Sequence, residues 1–376
     1  MNGVVSRGQI FAVLVVLFSS VISSVSSAEG AQDLKIYTGS GAYKVSQTKA
    51  FFEPFEKTTG TKIEVFSESN GLDLLKNWFG QASAQGDVIN LTSYEAEQAC
   101  DKGWLVSFQE QDIAPGADGT PIMKDFLGNS LMDCAVPNVA WSALMVVKHT
   151  KFNKQKPRSW ADFFNAKKFS GQRSLKKSAR YTLEMALLAD GVAPSQIYDE
   201  LSTVKGQKRA FAKLDMIKDS IVWWETGKQA IDNLGLKDVS MGMSTNGRLF
   251  NAMIADGLDV TLVWQGQIYD YDYWGIPLKT AQRDQAMAFV KFATAPEQLA
   301  AQSSWMPYGP MRASALKYVK EHEIGKMHMA PYLTTTKAHF RKALKFNESW
   351  WRSEDGQQVE KRFADWLNGT VSWPEE

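Results

Sequence analysis

Residues 34–66, LKIYTGSGAYKVSQTKAFFEPFEKTTGTKIEVF, decide the class of fold. Apolar and polar residues alternate over 34–38, which predicts a strand, and a glycine turn follows at 39–41. Phe51, Phe52 and Phe55 share one face of a helix predicted over 46–58, and Gly60 ends that helix. Residues 62–66 alternate again as a second strand. The segment therefore predicts a strand–helix–strand unit.

The alternation of strand and helix continues along the chain. A helix is predicted over 73–84 and a strand over 87–91, and later strands are predicted at 135–147, 240–243 and 259–264. Further helices are predicted over 95–102, 180–188, 207–217, 283–294, 296–303, 312–319 and 357–367. This order is typical of βαβ units on mostly parallel sheets flanked by helices. We therefore predict an α/β fold.

The N-terminal residues predict export. Arg7 precedes an apolar stretch over 10–25, and Ser26-Ser27-Ala28 offers small residues for cleavage, so we expect residues 1–28 to be a signal peptide. No other stretch approaches the length of a membrane span, and we expect a soluble periplasmic protein.

Length predicts two lobes. Subtracting the 28 predicted signal residues from 376 leaves about 348, which is too many for one ordinary core. We expect lobe 1 to comprise residues 29–142 and 272–312, and lobe 2 to comprise 143–271 and 313–376. Two crossover strands, near 139–147 and 268–276, would form the hinge between them.

Composition excludes some partners. The net charge is +1, whereas nucleic-acid sites need a basic field. Hydrophobic residues at 44% and charged residues at 22% describe an ordinary globular protein, which we expect to be a monomer. The 13 tryptophans suit a ligand cleft lined with large rings.

Two cysteines, Cys100 and Cys134, stand alone in the sequence. In an oxidising compartment such a pair is expected to form a disulfide. Neither has a second Cys or a His at ligand spacing, so a metal site is disfavoured.

The run Tyr269-Asp270-Tyr271-Asp272-Tyr273-Trp274 alternates carboxylates with aromatic rings. Rings attract organic cations, and a carboxylate accepts charge-assisted hydrogen bonds from an ammonium group. One interpretation is therefore an amine-binding box that uses Asp270 and Asp272. The other is an edge strand whose aspartates face water.

Four further places are candidates for ligand contacts. Ser40 and Gly41 lie in the turn after the first strand, followed by Tyr43, and this turn lacks the third glycine of a dinucleotide site. Thr92, Ser93 and Tyr94 follow the strand over 87–91, where hydroxyl groups either cap the next helix or contact a ligand.

The remaining two candidates lie in the second half. Lys177 and Arg180 flank a helix start that either attracts an anion or forms a solvated face. Trp224, beside Trp223, either packs in the core or faces a cleft, and we place it in the cleft.

The sequence gives little reason to expect catalysis. None of the four histidines has the spacing of a metal site or triad, and no G-x-S-x-G motif occurs. We predict a binding protein without a cofactor. Ferric-ion capture by tyrosines is a second non-enzymatic option, although no tyrosine cluster beyond 269–273 supports it.

The order and spacing of several short pieces resemble a known family. They are the opening strand and turn to Tyr43, residues 87–94, Val136-Pro137 with Trp141, Ser159-Trp160-Ala161-Asp162 with Gly171, Met185-Ala186-Leu187, Asn246-Gly247 and residues 272–277. Together they resemble type II periplasmic solute-binding proteins of ABC importers, most closely the spermidine/putrescine-binding branch. The resemblance covers nearly the whole mature chain. It implies two α/β lobes that close on a ligand and deliver it to a membrane permease.

The resemblance also implies site residues. The family's amine-contacting Asp matches Asp272, and its first-lobe tyrosines match Tyr94 and Tyr43. The family's second set of acids is replaced here by Lys177 and Tyr181, and the acid of the opening turn is missing near Gly41. We therefore expect a small amine-containing, polyamine-like solute. The alternative is a zwitterionic amino-acid derivative or opine whose acid group Lys177 or Arg180 would hold.

Overall fold

Within the residues that the structure describes, ten strands join in one mixed sheet. The structure is a computed structural model that describes residues 1–3, 32–68, 70–152 and 155–373, so most of the predicted signal peptide lies outside the described residues. The strands are β1 (Leu34–Thr38), β2 (Ile63–Ser67), β3 (Val88–Thr92), β4 (Ala135–Lys148), β5 (Gln172–Lys176), β6 (Ile221–Trp224), β7 (Val239–Thr245), β8 (Val260–Gly275), β9 (Gly309–Pro310) and β10 (Leu344–Lys345).

Helices flank this sheet along the whole chain. They are α1 (Gly41–Gln47), α2 (Glu53–Thr59), α3 (Gly71–Phe79), α4 (Ser93–Asp101), α5 (Ile122–Asp125), α6 (Trp160–Phe163), α7 (Ala179–Ala189), α8 (Ile197–Leu201), α9 (Val204–Asp215), α10 (Gly227–Gly235), α11 (Asn246–Ala255), α12 (Arg283–Ala293), α13 (Pro296–Ser303), α14 (Lys337–Phe340), α15 (Glu348–Arg352) and α16 (Glu354–Leu367). No helix in the described ranges is long and apolar enough to cross a membrane.

Two long antiparallel strands connect the halves of the sheet. The order is β2-β1-β3-β8-β4-β7-β5-β6, with β9 added beside β4 and β10 beside β8. Strands β1, β2 and β3 are mutually parallel, and so are β5, β6 and β7. The C-terminal end of β8 pairs with β3, whereas the C-terminal end of β4 pairs with β7. Both long strands therefore pass from one parallel set to the other, as the predicted crossovers require.

The buried apolar residues also form separate clusters around the two parallel sets of strands. A first core gathers β1, β3 and residues near the C-terminal end of β8, with Phe51, Phe55 and Phe289 among its helix residues. A second core gathers β5, β7, α7 and α16. Alternate residues of β4 point to opposite faces, so Met145 joins the second core while Leu144 joins a smaller third cluster. The sheet is therefore covered on both faces around β4.

The predicted α/β fold with crossover strands is confirmed, with three local corrections. The helix predicted over 46–58 is longer, because α1 and α2 are joined through a π-helical turn at Thr48–Phe52. The separate segments predicted at 259–264 and 268–276 form the single strand β8, which contains Gly266 at φ 73°. The segment predicted as a helix over 312–319 is a 3₁₀ turn at Ala313–Tyr318.

Gly266 allows β8 to continue past a close neighbour. A side chain at this position would collide with the Trp160 ring, whose Nε1 donates a hydrogen bond to the Gly266 carbonyl at 2.8 Å. Such a glycine inside a strand is typical of a local irregularity, and β4 and β8 shift register nearby.

The predicted disulfide is present in the structure. Cys100, near the end of α4, is bonded to Cys134, just before β4, with the two Cα atoms 5.9 Å apart. The bond closes a loop with a sequence separation of 34 residues. It therefore fixes the loop region between α4 and β4 against the first core.

Replacing both cysteines with alanine should lower the free energy of unfolding by about 3 to 4 kcal/mol, because the unfolded chain then gains the freedom of the open loop. Urea denaturation of the oxidised wild type and of the double variant measures the difference. The reduced wild type serves as the control and should match the variant. Equal midpoints for oxidised and reduced wild type would contradict a stabilising disulfide.

Candidate functional site

A cleft opens where the carboxyl ends of β1 and β3 meet the C-terminal part of β8. We call its main compartment, of about 550 Å³, the large cleft. The large cleft is lined by Asn70, Leu72, Asp73, Thr92, Tyr94, Glu95, Trp141, Tyr181, Asp270, Phe346, Glu348 and Arg352. An adjoining compartment of about 180 Å³, the small cavity, shares Thr92 and Glu95 with it and also contains Tyr43 and Asp272. Ligands of α/β sheets bind at this edge, where strands end and the topology reverses.

The turn from β3 into α4 builds one wall of the large cleft. Thr92 caps α4 and forms a capping box with Glu95, so both interpretations of its hydroxyl group, cap and cleft contact, are compatible. The Ser93 hydroxyl donates a 2.6 Å hydrogen bond to Asp270 Oδ1. The Tyr94 ring lies 4.6 Å from the Arg352 guanidinium. The turn that caps α4 therefore positions the hydroxyl groups of Thr92 and Ser93 and the ring of Tyr94 beside the large cleft.

Asp272 is one of two deeply buried acids of the site. It pairs with Thr92 across the β3–β8 ladder and is 9% exposed. Burial, with a smaller contribution from the Asp270 charge, raises the pKa of Asp272 to about 7. Trp141 Nε1 donates to Asp272 Oδ1 at 3.4 Å. The Tyr43 hydroxyl lies near enough to lower the pKa of Asp272, although the pair does not meet strict hydrogen-bond geometry.

Asp270 lies two residues earlier on the same face of β8. It is 5% exposed, and burial raises its pKa to about 6. Its Oδ1 accepts hydrogen bonds from Ser93 Oγ and, at 2.9 Å, from the Tyr271 backbone N–H. The alternating run therefore places two carboxylates side by side in the cleft. The interpretation of an edge strand with water-facing aspartates is wrong, because β8 lies in the middle of the sheet.

Aromatic rings line both compartments. Tyr181 stacks on Phe346 with ring centroids 4.5 Å apart, and it holds φ at 69°, which is unusual for a residue other than glycine. Tyr43 and Tyr308 lie with ring centroids 5.8 Å apart beside Asp272. Rings of this kind suit the hydrocarbon chain of a ligand and, through their faces, its cationic groups.

Three arginines lie around the site, and they differ in how far they are neutralised. Arg180 contacts both Glu348, at 2.8 Å, and Glu360, at 3.2 Å. Arg352 contacts Glu348 at 2.6 Å. Arg248, in the first turn of α11, is exposed and makes no ion pair or hydrogen bond within the described part of the chain.

Arg248 follows Gly247, whose backbone lies against the Tyr308 ring, and Tyr308 neighbours Tyr43 of the small cavity. Burial raises the pKa of Tyr308 and the Asp272 carboxylate raises it further, whereas the Arg248 guanidinium opposes this shift. Tyr308 is therefore within electrostatic range of both the Asp272 carboxylate and the Arg248 guanidinium. A side chain at Gly227 would collide with the Arg248 guanidinium, so this glycine leaves room for the arginine.

The structure brings some of the predicted site residues together and leaves others elsewhere. Tyr43, Thr92, Tyr94, Asp270 and Asp272 line the two compartments, and Ser93 is bonded to Asp270. Ser40 and Gly41 are exposed next to the small cavity without lining it, whereas their neighbour Gly39 does line it.

Three predicted residues are held away from the two compartments. Lys177 pairs with Glu225 at 3.1 Å, and Arg180 is held by its two glutamates. Trp224 is 7% exposed and packs in the second core, so its predicted position facing the cleft is wrong.

Sequence analysis missed several residues of the site, and five of them bear on its charge and its aromatic lining. Phe346, Glu348 and Arg352 come from the C-terminal segment, which carries no motif, and Tyr308 follows a helix as an isolated ring. Arg248 follows Asn246-Gly247, a pair that the family resemblance includes, and this position is the one available signal.

Asp272→Asn removes a carboxylate that folding desolvates. Because its pKa is raised from about 4 to about 7, the ionised group destabilises the folded chain above pH 7, and this penalty is absent below about pH 4. Without ligand, the variant should therefore melt at a higher temperature than wild type at pH 8 and at an equal temperature near pH 4. Differential scanning calorimetry from pH 4 to pH 8 measures the difference in melting temperature between the variant and wild type, and so tests its sign. A lower melting temperature of the variant at pH 8 would show that Asp272 stabilises the fold.

Known proteins share both the sequence and this architecture. The family model described as bacterial extracellular solute-binding protein matches residues 50–329. A γ-aminobutyric acid-binding protein of Pseudomonas aeruginosa is 34% identical over 351 residues, covering 93% of this chain and 95% of that protein.

Solved structures agree with the family assignment. An ABC transporter substrate-binding protein from Bradyrhizobium japonicum is 27% identical, with a TM-score of 0.72 over 89% of this chain and 99% of that one. A structure described as a GABA receptor is 25% identical, with a TM-score of 0.70 over 89% of this chain and 98% of that one. The chain belongs to the bacterial extracellular solute-binding proteins and is the solute-binding component of an ABC transporter.

Proposed function

We propose that this protein captures a small ω-amino acid of the γ-aminobutyrate class and delivers it to an ABC permease. The ammonium group would bind at Asp272 and the carboxylate at Arg248. The observation that carries the proposal is that, within the described residues, Asp272 is buried without a cationic partner, while Arg248, which acts electrostatically on neighbouring Tyr308, is also unpaired.

An ammonium ligand compensates the desolvated carboxylate of Asp272. Burial of an isolated carboxylate costs several kcal/mol, and an opposite charge with good hydrogen-bond geometry offsets that cost. Tyr43, Tyr308 and Trp141 surround Asp272 with rings and N–H or O–H groups. A protonated amine fits this environment because rings and a carboxylate both attract it.

Arg248 suits the acid end of the ligand. A guanidinium binds a carboxylate through two parallel hydrogen bonds, and no described residue accepts from those donors of Arg248. Arg180, the cation expected from the sequence, is already neutralised by Glu348 and Glu360. The zwitterionic ligand predicted as the alternative therefore remains suitable, but its carboxylate would bind Arg248 and not Arg180.

The relatives support a zwitterion over a polyamine. One relative is named for γ-aminobutyric acid binding, and one similar structure is described as a GABA receptor. A polyamine would bring an ammonium group toward Arg248 with no carboxylate to balance it. The polyamine-like solute that the sequence suggested is therefore the second candidate, and the acidic lining of the large cleft is the observation in its favour.

Capture would follow closure of two lobes about β4 and β8. We propose lobes that comprise residues 29–142 with 272–312 and residues 143–271 with 313–376, close to the division between the first and second cores. Asp272 belongs to the first of these lobes and Arg248 to the second. A ligand that bridges the two charges would stabilise the closed form, which the permease would then recognise.

Arg248→Gln should weaken γ-aminobutyrate binding about tenfold or more, because a charge-assisted hydrogen bond contributes about 1.5 to 3 kcal/mol. Isothermal titration calorimetry measures the affinity. Arg283→Gln, which removes an exposed arginine outside both compartments, is the matched control and should bind like wild type.

Putrescine separates the two candidate ligands. It has amines but no carboxylate, so Arg248→Gln should leave its binding unchanged or strengthen it. Failure of wild type to bind any ω-amino acid, together with tight binding of putrescine, would overturn the proposed function.

A further inference from the structure

Asp270 is not needed to hold a ligand with one amine. The proposed function uses Asp272 in the small cavity, whereas Asp270 lines the large cleft. The two residues lie on one face of β8, about 6 to 7 Å apart along the strand. Each is more than nine-tenths buried. The site therefore holds a second buried acid for which a ligand of the γ-aminobutyrate class leaves no role.

Asp270 presents an unsatisfied oxygen to the large cleft. Its Oδ1 accepts both of its hydrogen bonds, from Ser93 and from the Tyr271 N–H, while Oδ2 has no hydrogen bond or ion pair within the described residues. The carboxylate lines the large cleft, so Oδ2 can accept a donor from a molecule bound there. A buried carboxylate with no ion pair within the described residues favours a cation from the ligand.

The cations near Asp270 are already engaged. Lys345 lowers the pKa of Asp270, but its ammonium lies 3.4 Å from Glu97 and over the Tyr271 ring. Arg352, the basic residue that lines the large cleft, contacts Glu348 at 2.6 Å. The remaining lining charges, Asp73 and Glu95, are acidic. The electrostatic field around Asp270 therefore favours a positive group.

Rings complete the surroundings of Asp270. Tyr181 lies close enough for the Asp270 charge to raise the pKa of its hydroxyl, after the larger effect of burial. Its ring stacks on Phe346, and Tyr94 faces the same compartment. The Lys176 ammonium lies 5.2 Å from the Tyr181 ring centroid and the Arg352 guanidinium 4.6 Å from that of Tyr94, so these rings offer a ligand apolar walls beside the buried acid.

We propose that Asp270 forms a second ammonium subsite, so that the protein takes ω-amino acids whose nitrogen carries an aminoalkyl arm. This inference rests on the proposed function: the first nitrogen binds at Asp272 and the carboxylate at Arg248. The second nitrogen extends into the large cleft and binds Asp270 Oδ2. An arm of three carbons separates the two nitrogens by about 5 Å, which suits the spacing of the two acids.

Two matched probes test the subsite. N-(3-aminopropyl)-4-aminobutanoate carries the second amine, and N-propyl-4-aminobutanoate has an arm of the same carbon length without it. Titration calorimetry at pH 8 should show that wild type binds the first at least about tenfold more tightly than the second, as expected for a charge-assisted hydrogen bond.

Variants test whether Asp270 is the residue that causes the preference for the aminopropyl probe. Asp270→Asn should reduce the preference for the aminopropyl probe to about threefold or less, whereas Asp272→Asn should weaken both probes. Asp101→Asn, an exposed acid at the end of α4, should keep the wild-type preference. If Asp270→Asn does not fold, the ratio of the two probes on wild type decides the matter alone.

The outcomes separate this inference from the function on which it rests. Binding of γ-aminobutyrate with no gain from the terminal amine would overturn the second subsite and leave the proposed function intact. A gain that persists in Asp270→Asn would overturn the assignment to Asp270. Absence of binding for γ-aminobutyrate and both probes would overturn the proposed function itself.

Discussion

The antiparallel pairing of β4 with β8 is the constraint on which both the fold and the site depend. These strands run through both parallel sets of the sheet and contribute to the first and second cores. Their ladder places Trp141 opposite Asp270, and the adjoining β3–β8 ladder places Thr92 opposite Asp272. Three strands thus converge on two acids, so their positions are fixed by main-chain hydrogen bonds.

Those two acids lie where packing alone would not put them. Aspartate is depleted in strands, and an ionised carboxylate in the middle of a sheet costs free energy unless a partner compensates it. Fold stability would favour apolar residues at both places, as at neighbouring Ile268 and Ile276, which are fully buried. The aspartates are therefore best explained by a ligand that supplies the missing positive charge.

The sequence predicted the fold well because its signals are local. Alternation over 34–38 and the three phenylalanines of 51–55 determine a strand and a helix within a few residues of themselves. Strand β8 was divided in two by the sequence because Gly266 interrupts its pattern, and only the contact with Trp160 explains why the strand continues.

The site was harder to predict because it depends on contacts between distant residues. Arg180 resembles a free cation in the sequence, yet Glu348 and Glu360, 168 and 180 positions later, neutralise it. Trp224 could equally face a cleft or a core, and the packing of the second core decides it. Arg248 has only its position after Asn246-Gly247 as a signal in the sequence, and the structure distinguishes it by the absence of a partner within the described residues. Asp272, in contrast, was found because its strand pattern and its chemistry occur in the same short run.

The distribution of charge, rather than its total, determines what such a protein can bind. The whole chain carries a net charge of +1, yet the large cleft is lined by four acids and one arginine. Because low-dielectric walls strengthen local charges, a nearly neutral protein can present a strongly negative cleft to a cationic solute. In the proposed function, Arg248 would then discriminate among cations by requiring a carboxylate at a set distance from the amine. Specificity of this kind would need few residues, provided that the two strands hold the acids in place while Arg248 approaches in the proposed closure.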